Sequence, residues 1–298
     1  MTVLASEGRP RTAGPTPTPT PRDAPSRRRL GNVPGALSSL VWLAIVIVPL
    51  YWMVITSLRT QSGFFDANPL AWPKHPTLDN YRTVLHHDFW KYLTNSLIVT
   101  VGGVLLTLIV SLMGAYAIVR SGNRFVKGTF NLFLLGLAIP LQATIIPIYY
   151  LIVKLHLYDT LLALVLPSAA FAVPITVVIL TNFLRDVPNE LFESMRVDGA
   201  GEWRMLISLA VPLVRPAITT VAVYDALQIW NGFLFPLILT QSPDLRVLPL
   251  ALFDFQGQFT VNVPAIIASV VLSTLPILAL YVVGRRQLVS GLTAGFSK

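Results

Sequence analysis

Six stretches of this chain run 23 to 30 residues with almost no formal charge. Ala36–Leu58, Tyr92–Val119, Gly128–Val153 and Thr160–Leu184 contain no Asp, Glu, Lys or Arg. Pro216–Thr240 contains Asp225 alone, and Phe255–Gly284 contains none, with the crossing segment itself expected from about Pro264. A helix crossing a bilayer needs about 20 mostly apolar residues. Only helices and closed barrels satisfy their backbone groups in hydrocarbon. The pattern predicts an all-α membrane protein with six transmembrane helices. Composition agrees, because charged residues are 12% of the chain, against about 25% in soluble domains.

Loop charge sets the orientation. With the N-terminus inside, sixteen of the 22 Lys and Arg fall on inner segments and six on outer ones. The positive-inside rule therefore predicts both termini in the cytoplasm of a cell membrane. Residues 1–35 read as a disordered cytoplasmic tail, since the PTPTPTP run cannot form a helix; a cleaved signal peptide is not expected. The membrane domain is placed at 36–290, and 291–298 as a short cytoplasmic tail.

The exception to the low charge is Glu190–Arg204, where Glu190, Glu193, Arg196, Asp198, Glu202 and Arg204 crowd into fifteen residues. Asp186 and Pro188 suggest a helix start, with Leu191 and Met195 on one apolar face. Asp198-Gly199 suggests a break. A second short helix is expected from about Gly201, carrying Trp203 and Ile207, before Pro212 and Pro216 turn the chain back. Two short helices with an apolar face and a charged rim suit a docking element; a solvated connection between spans fits as well.

On these residues the chain resembles a known family. Glu193-Ser-Met-Arg-Val-Asp-Gly199-Ala, with Trp203 and the Leu-Ala-Val-Pro-Leu-Val-Arg-Pro216 that follows, resembles the EAA loop of ABC-importer permease subunits, although Ser194 and Met195 replace the family's two alanines. Asn80-Tyr81, Asn95-Ser96-Leu97, Ala115-Tyr116-Ala117, the Pro140–Pro147 run, Trp230-Asn231 and Gly291–Gly295 are similar to the carbohydrate-uptake, maltose-type, binding-protein-dependent branch. Gly232 stands where that branch usually has an acidic residue, and the ending Gly295-Phe-Ser-Lys298 also departs from its pattern.

The resemblance implies half of a sugar pore, paired with a second homologous permease subunit, two ATPase subunits and an extracytoplasmic solute-binding protein. It implies an EAA-type coupling helix in the loop 185–216, with Glu190, Glu193, Met195, Asp198, Gly199, Ala200 and Trp203 coupling to the ATPase. It also implies that the outer loop with Phe253, Asp254, Phe255, Gln256 and Gly257 meets the binding protein; packing on the membrane face is the other reading. Gly291–Lys298 are candidates for reaching the ATPase.

No phosphate-binding G-x-x-x-x-G-K-[ST] occurs in the sequence. The chain is expected to be no enzyme and to hold no cofactor, with ATP and Mg bound by partner subunits. There is no cysteine. His86 and His87 are adjacent and point apart on a helix, so no metal is expected; nor is nucleic acid. Asp225, Gln228, Trp230 and Asn231 are substrate-path candidates, because ionisable groups inside membrane helices are costly; helix-to-helix hydrogen bonding is the other reading. An ion-coupled secondary transporter is the alternative function. It would call for buried ionisable groups in several spans, as a membrane-embedded enzyme would call for catalytic groups at that depth.

Overall fold

The computed structural model describes residues 33–65, 68–255 and 261–296. The regular structure there is almost entirely helical: α1 Val33–Ser57, α2 Gln61–Phe65, α3 Asp79–His86, α4 Phe89–Arg120, α5 Arg124–Gly136, α6 Ile145–Lys154, α7 Leu162–Arg185, α8 Asn189–Val197, α9 Glu202–Met205, α10 Val211–Leu213, α11 Arg215–Trp230, α12 Leu234–Leu239 and α13 Val263–Phe296. Residues up to Val48 form one compact unit and Pro49 onward another. The first contributes the start of α1, where Leu40 and Trp42 are exposed.

Helix α4 is organised opposite to a soluble helix. Its inward positions include a run of small or hydroxylated residues, Ser96, Thr100, Gly103, Thr107, Ser111 and Ala115, beside larger ones such as Phe89, Val99 and Ile118. Its outward positions are Leu97, Val101, Leu105 and Ile109. Hydrocarbon outside removes any reason to hide leucine, and small residues let helix backbones approach. Helix α7 uses that face: Thr107 and Ser111 donate to the carbonyls of Ala169 and Val173 at 3.4 and 3.5 Å. At Gly103 a Cβ would lie 2.8 Å from Ile229 Cδ1 of α11, and at Gly284 one would lie 2.9 Å from Val223 Cγ2. Helices α4, α7, α11 and α13 thus form the packed centre.

Four helical stretches among the described residues are long and apolar enough to cross a membrane, or up to six if two bent pairs each count as one. The third expected span is bent by 101° between Arg124–Gly136 and Leu141–Lys154. Pro140 is extended there (φ −70°, ψ 129°) and a 3₁₀ turn, Leu141–Thr144, follows it. The fifth expected span is not continuous over Pro216–Thr240. It stops at Trp230 and resumes as α12 at Leu234. The sixth expected span, Phe255–Gly284, lies within a longer helix, because α13 starts at Val263 and continues to Phe296, so residues 291–296 of the expected tail are helical. Almost all of 1–35 lies outside the described residues.

At the other end of the bundle, several quoted motif residues tie down turns. Asn80 donates to the carbonyls of Ser57 and Arg59 at 2.8 and 2.7 Å, and the Tyr81 hydroxyl meets Ser57 Oγ at 2.7 Å. Arg59 is 2% exposed. Its guanidinium donates to the carbonyls of Asn68, Pro69 and Ala71, so a buried cation is spent on closing one loop.

Candidate functional site

The charged island folds as two short helices around a glycine turn. Asp186 does not start the first of them. It is the C-cap of α7, and extended Pro188 (ψ 135°) stands at the N-cap of α8. Proline has already fixed φ for helix entry, so a side-chain cap is not needed to stop the preceding turn. The end of α8 is a Schellman motif: Ala200 N–H donates to Met195 carbonyl at 2.9 Å and Gly199 N–H to Arg196 carbonyl at 3.1 Å. Gly199 has φ +79°, the left-handed region that a Cβ disfavours.

The inward face of α8 differs from the expected one. Leu191 is exposed, and Phe192 is the buried residue at 1%. Phe192 packs with the partly buried Met195 and with Ala200, Met205 and Leu206 in one cluster that includes Ala115, Tyr116, Leu180 and Leu184. The stripe runs through 192 and 195, three apart, rather than 191 and 195. An apolar residue at either position satisfies the sequence pattern, and packing against the Tyr116 ring, 6.3 Å away, selects Phe192.

After α9 the chain passes through a π-helical turn, Leu206–Ala210, then α10. Pro212 has no N–H to continue the ordinary ladder, and such turns accommodate that loss. The bend at Val214 is 78°, which agrees with the expected return at Pro212 and Pro216. Left outward are Glu190, Glu193, Asp198 and Gly199, with Val197, Trp203 and Ile207 at 88%, 63% and 63% exposure. The island therefore has an inner face fixed to the bundle, and it leaves both apolar and charged side chains exposed.

Two hydrogen bonds and one cation–ring contact join this element to α4, and one ion pair closes it on itself. Tyr116 donates to Glu202 Oε2 at 2.8 Å, and Arg196 donates to Glu202 Oε1 at 2.7 Å. Arg120 donates to Asn189 Oδ1 at 2.7 Å and lies 4.1 Å over the Phe192 ring. The island sequence suggests none of the α4 partners, since they are about seventy or more positions away.

The substrate-path candidates separate. Asp225 is fully buried; Thr176 of α7 donates to its Oδ2 at 2.9 Å, and its Oδ1 has no hydrogen-bond partner. Asp225 and Gln228 line one cavity of about 250 Å³ with Ser168, Phe171, Tyr224 and Phe235. Trp230 faces elsewhere and donates to Ser273 carbonyl of α13 at 3.2 Å. Asn231, the C-cap of α11, donates back to Leu227 carbonyl. The expected single polar side, three residues apart, ends with the helix at Trp230.

The loop candidates are also partly engaged. Phe253 stacks on Phe233 at 5.9 Å. Asp254 pairs with Arg246 and its side chain is 5% exposed. Phe255 sits 5.6 Å from the His87 ring. Gln256 and Gly257 lie outside the described residues. Two anchors hold the loop root. Asn95 donates to the carbonyls of Asp244 and Arg246 at 2.8 and 2.9 Å, and Leu248 N–H donates to Ser96 Oγ at 2.9 Å. Asp159 accepts from the N–H groups of Gln241 and Ser242 at 2.8 and 2.9 Å and from Ser242 Oγ. These bonds, Ser242 Oγ foremost, hold its carboxyl below the usual carboxylate range. Asp159 gave no sequence signal, being one acidic residue in a short loop.

Known proteins share both the sequence and the fold. A family described as the binding-protein-dependent transport system inner membrane component matches residues 103–289. An ABC transporter permease protein, ORF2, of Caldicellulosiruptor sp. (strain Rt8B.4) is 41% identical over 87% of this chain and 94% of its own length. The diacetylchitobiose uptake system permease protein NgcG of Streptomyces coelicolor is 31% identical over 91% of this chain and 90% of its own. A chain from the crystal structure of a bacterial ABC transporter that imports alginate superposes with a TM-score of 0.75 at 21% identity, over 90% of this chain and 99% of that one. The chain belongs to the binding-protein-dependent transport system inner membrane components, and it is a multi-pass permease subunit of an ABC transporter.

Proposed function

We propose that this chain forms half of the translocation pore of an ATP-driven, binding-protein-dependent sugar importer, with six spans and both termini in the cytoplasm. The observation that carries the reading is the island: Phe192, Met205 and Ala200 fix it to α4 and α7, while Val197, Trp203, Ile207 and the acidic side chains stay outward. Exposed apolar and charged side chains together on a membrane subunit suit a protein partner. The excess of Lys and Arg on the same side favours the cytoplasm. Glu190, Glu193, Met195, Asp198, Gly199, Ala200 and Trp203 are accordingly assigned to coupling with two ATPase subunits, which bind ATP and Mg.

A sugar cargo is supported by relatives named for diacetylchitobiose uptake. A second permease subunit completes the pore, and a solute-binding protein meets the outer loop through Phe253 and its neighbours. The four long apolar helices hold no Asp or Glu, and Arg215–Trp230 holds Asp225 alone, which leaves the ion-coupled alternative without the several buried ionisable groups it would need.

The test is purification from native membranes in mild detergent. A second permease and an ATPase should co-purify, and reconstituted vesicles should take up sugar only with ATP and the binding protein. Uptake driven by an ion gradient without ATP would overturn the reading.

A further inference from the structure

We propose that the groove where α4, the start of α5 and α9 meet holds one anionic phospholipid of the inner leaflet, with its phosphate on Arg120; placing this end inside rests on the orientation in the reading above. The first argument is the order of chemistry along the groove. Met113, Ala117 and Arg120 follow one another at helical spacing on one face of α4. All three line a groove of about 440 Å³, together with Val126 and Leu206. Met113 and Ala117 are exposed, so the groove can be entered from outside the bundle. Its apolar wall on α4 lies toward the middle of the span, and its cation lies in the last turn. Trp203 also lines it, and tryptophan favours the level of the headgroups. A phospholipid has the same order, with its chain in hydrocarbon and its anion at the water's edge.

The second argument is charge. The Arg120 guanidinium meets a neutral amide oxygen, Asn189 Oδ1, and the Phe192 ring. Its Nε has no hydrogen-bond partner, and no ion pair to Arg120 occurs among the described residues. Glu202 also lines the groove, but its two oxygens accept from Tyr116 and Arg196, and Arg196 balances its charge. The segment from Arg120 to Lys127 carries three cations and no carboxylate. Cations this close to the membrane draw the anionic inner leaflet, and basic pockets at the inner ends of membrane helices take lipid headgroups. Size decides against a docked partner helix, because one turn, about 10 Å wide and 5.4 Å long, already fills about 420 Å³. A soluble phosphate would meet Arg120 and leave the apolar walls bare. Tyr116 and Glu202 both line the groove, so its occupant would brace the contact between α4 and the island.

The experiment uses the chain as purified from its membranes with its partner subunits, and it reads bound lipid directly by native mass spectrometry. Retention of phosphatidylglycerol over phosphatidylcholine is compared for wild type, Arg120→Gln, Ala117→Trp and Arg124→Gln. A hydrogen bond to a charged group corresponds to a factor of about ten to a hundred. Arg120→Gln should lower the preference for phosphatidylglycerol by that factor. Ala117→Trp, which fills the groove, should lower retention of both lipids, and it keeps the test if Arg120→Gln fails to assemble. Arg124 is an exposed cation outside the groove lining, so Arg124→Gln should retain lipid as wild type does. A photoreactive benzophenone side chain placed at position 117 should cross-link to phospholipid. Equal retention by wild type, Arg120→Gln and Ala117→Trp would overturn the site. Displacement of the lipid by excess inorganic phosphate would overturn the lipid in favour of a soluble anion, and a cross-link to the ATPase instead of lipid would overturn it in favour of a protein contact. None of these readouts uses transport. Loss of the lipid site therefore leaves the importer reading standing, whereas absence of ATP-driven sugar uptake by wild type would remove that reading alone.

Discussion

The Tyr116 hydroxyl, near the end of α4, donates to Glu202 in the first turn of α9 at 2.8 Å. One bond thus joins a long bundle helix to the second half of the charged island. Tyr116→Phe keeps the ring against Phe192 and removes only this bond. Glu202 retains Arg196, so the expected loss of stability is about 1 kcal/mol. Thermal unfolding of the purified complex measures that loss, and sugar moved per ATP hydrolysed should fall further than stability does. Unchanged transport per ATP would show that the bond is structural only.

Gly199 allows shape and charge to be separated. Its φ is +79°, and nothing lies within 4 Å of an added Cβ, so only the backbone conformation resists substitution. Gly199→Val should cost about 1–2 kcal/mol and weaken ATPase association. Asparagine and aspartate tolerate this conformation. Gly199→Asn should remain near wild type, whereas Gly199→Asp places a new charge on the outward face, leaves membrane insertion intact and uncouples ATP hydrolysis from uptake. Equal behaviour of Asn and Asp would show that this face meets no partner.

Two glycine contacts that look alike should respond differently. At Gly103 an added methyl meets the terminal Cδ1 of Ile229, and at Gly284 it meets both Cγ atoms of Val223 at 2.9 and 3.2 Å. A terminal methyl can rotate away, but a β-branched stem is stiff. Gly103→Ala should stay within about 1 kcal/mol of wild type, and Gly284→Ala should cost about 1–3 kcal/mol by overpacking. Val223→Ala should rescue the second, read as a non-additive double-mutant cycle in thermal unfolding.

The Asp159 latch should be pH-dependent. Its carboxyl is held below the ordinary 3.8, so its contribution is fully present above that value. It is lost as pH falls through the folded value, because protonation then costs less in the unfolded chain. Asp159→Asn should lower the unfolding midpoint near pH 7, and the gap from wild type should close toward pH 3. A constant gap across that range would assign the effect to shape rather than charge.

Much of this architecture was legible in the chain. The charge-free runs locate α1, α4, α7 and α13, because hydrocarbon leaves few other choices for 20 apolar residues. Gly199 announced the turn, and Pro212 and Pro216 the bend, since each restricts the backbone locally. What could not be read came from distance or from equivalence. Phe192 and Leu191 are equally apolar neighbours, and only Tyr116 decides between them. Asp225 stood out as a lone carboxylate, but its Thr176 partner lies 49 positions away. The end of α11 at Trp230 separates residues that a continuous helix would have aligned.

The length of α13 has a mechanical consequence. Its 34 residues at 1.5 Å each make a rod of about 51 Å, while the apolar stretch Val263–Val282 accounts for 20 residues of it. The remaining fourteen overhang by about 21 Å. A tilt of about 10° pivoting at one end would sweep the other through about 9 Å. Gly284 sits near the start of this overhang, where its missing side chain lets α13 press on Val223. A pivot at the Val263 end would therefore carry the overhang further than any point of the apolar stretch.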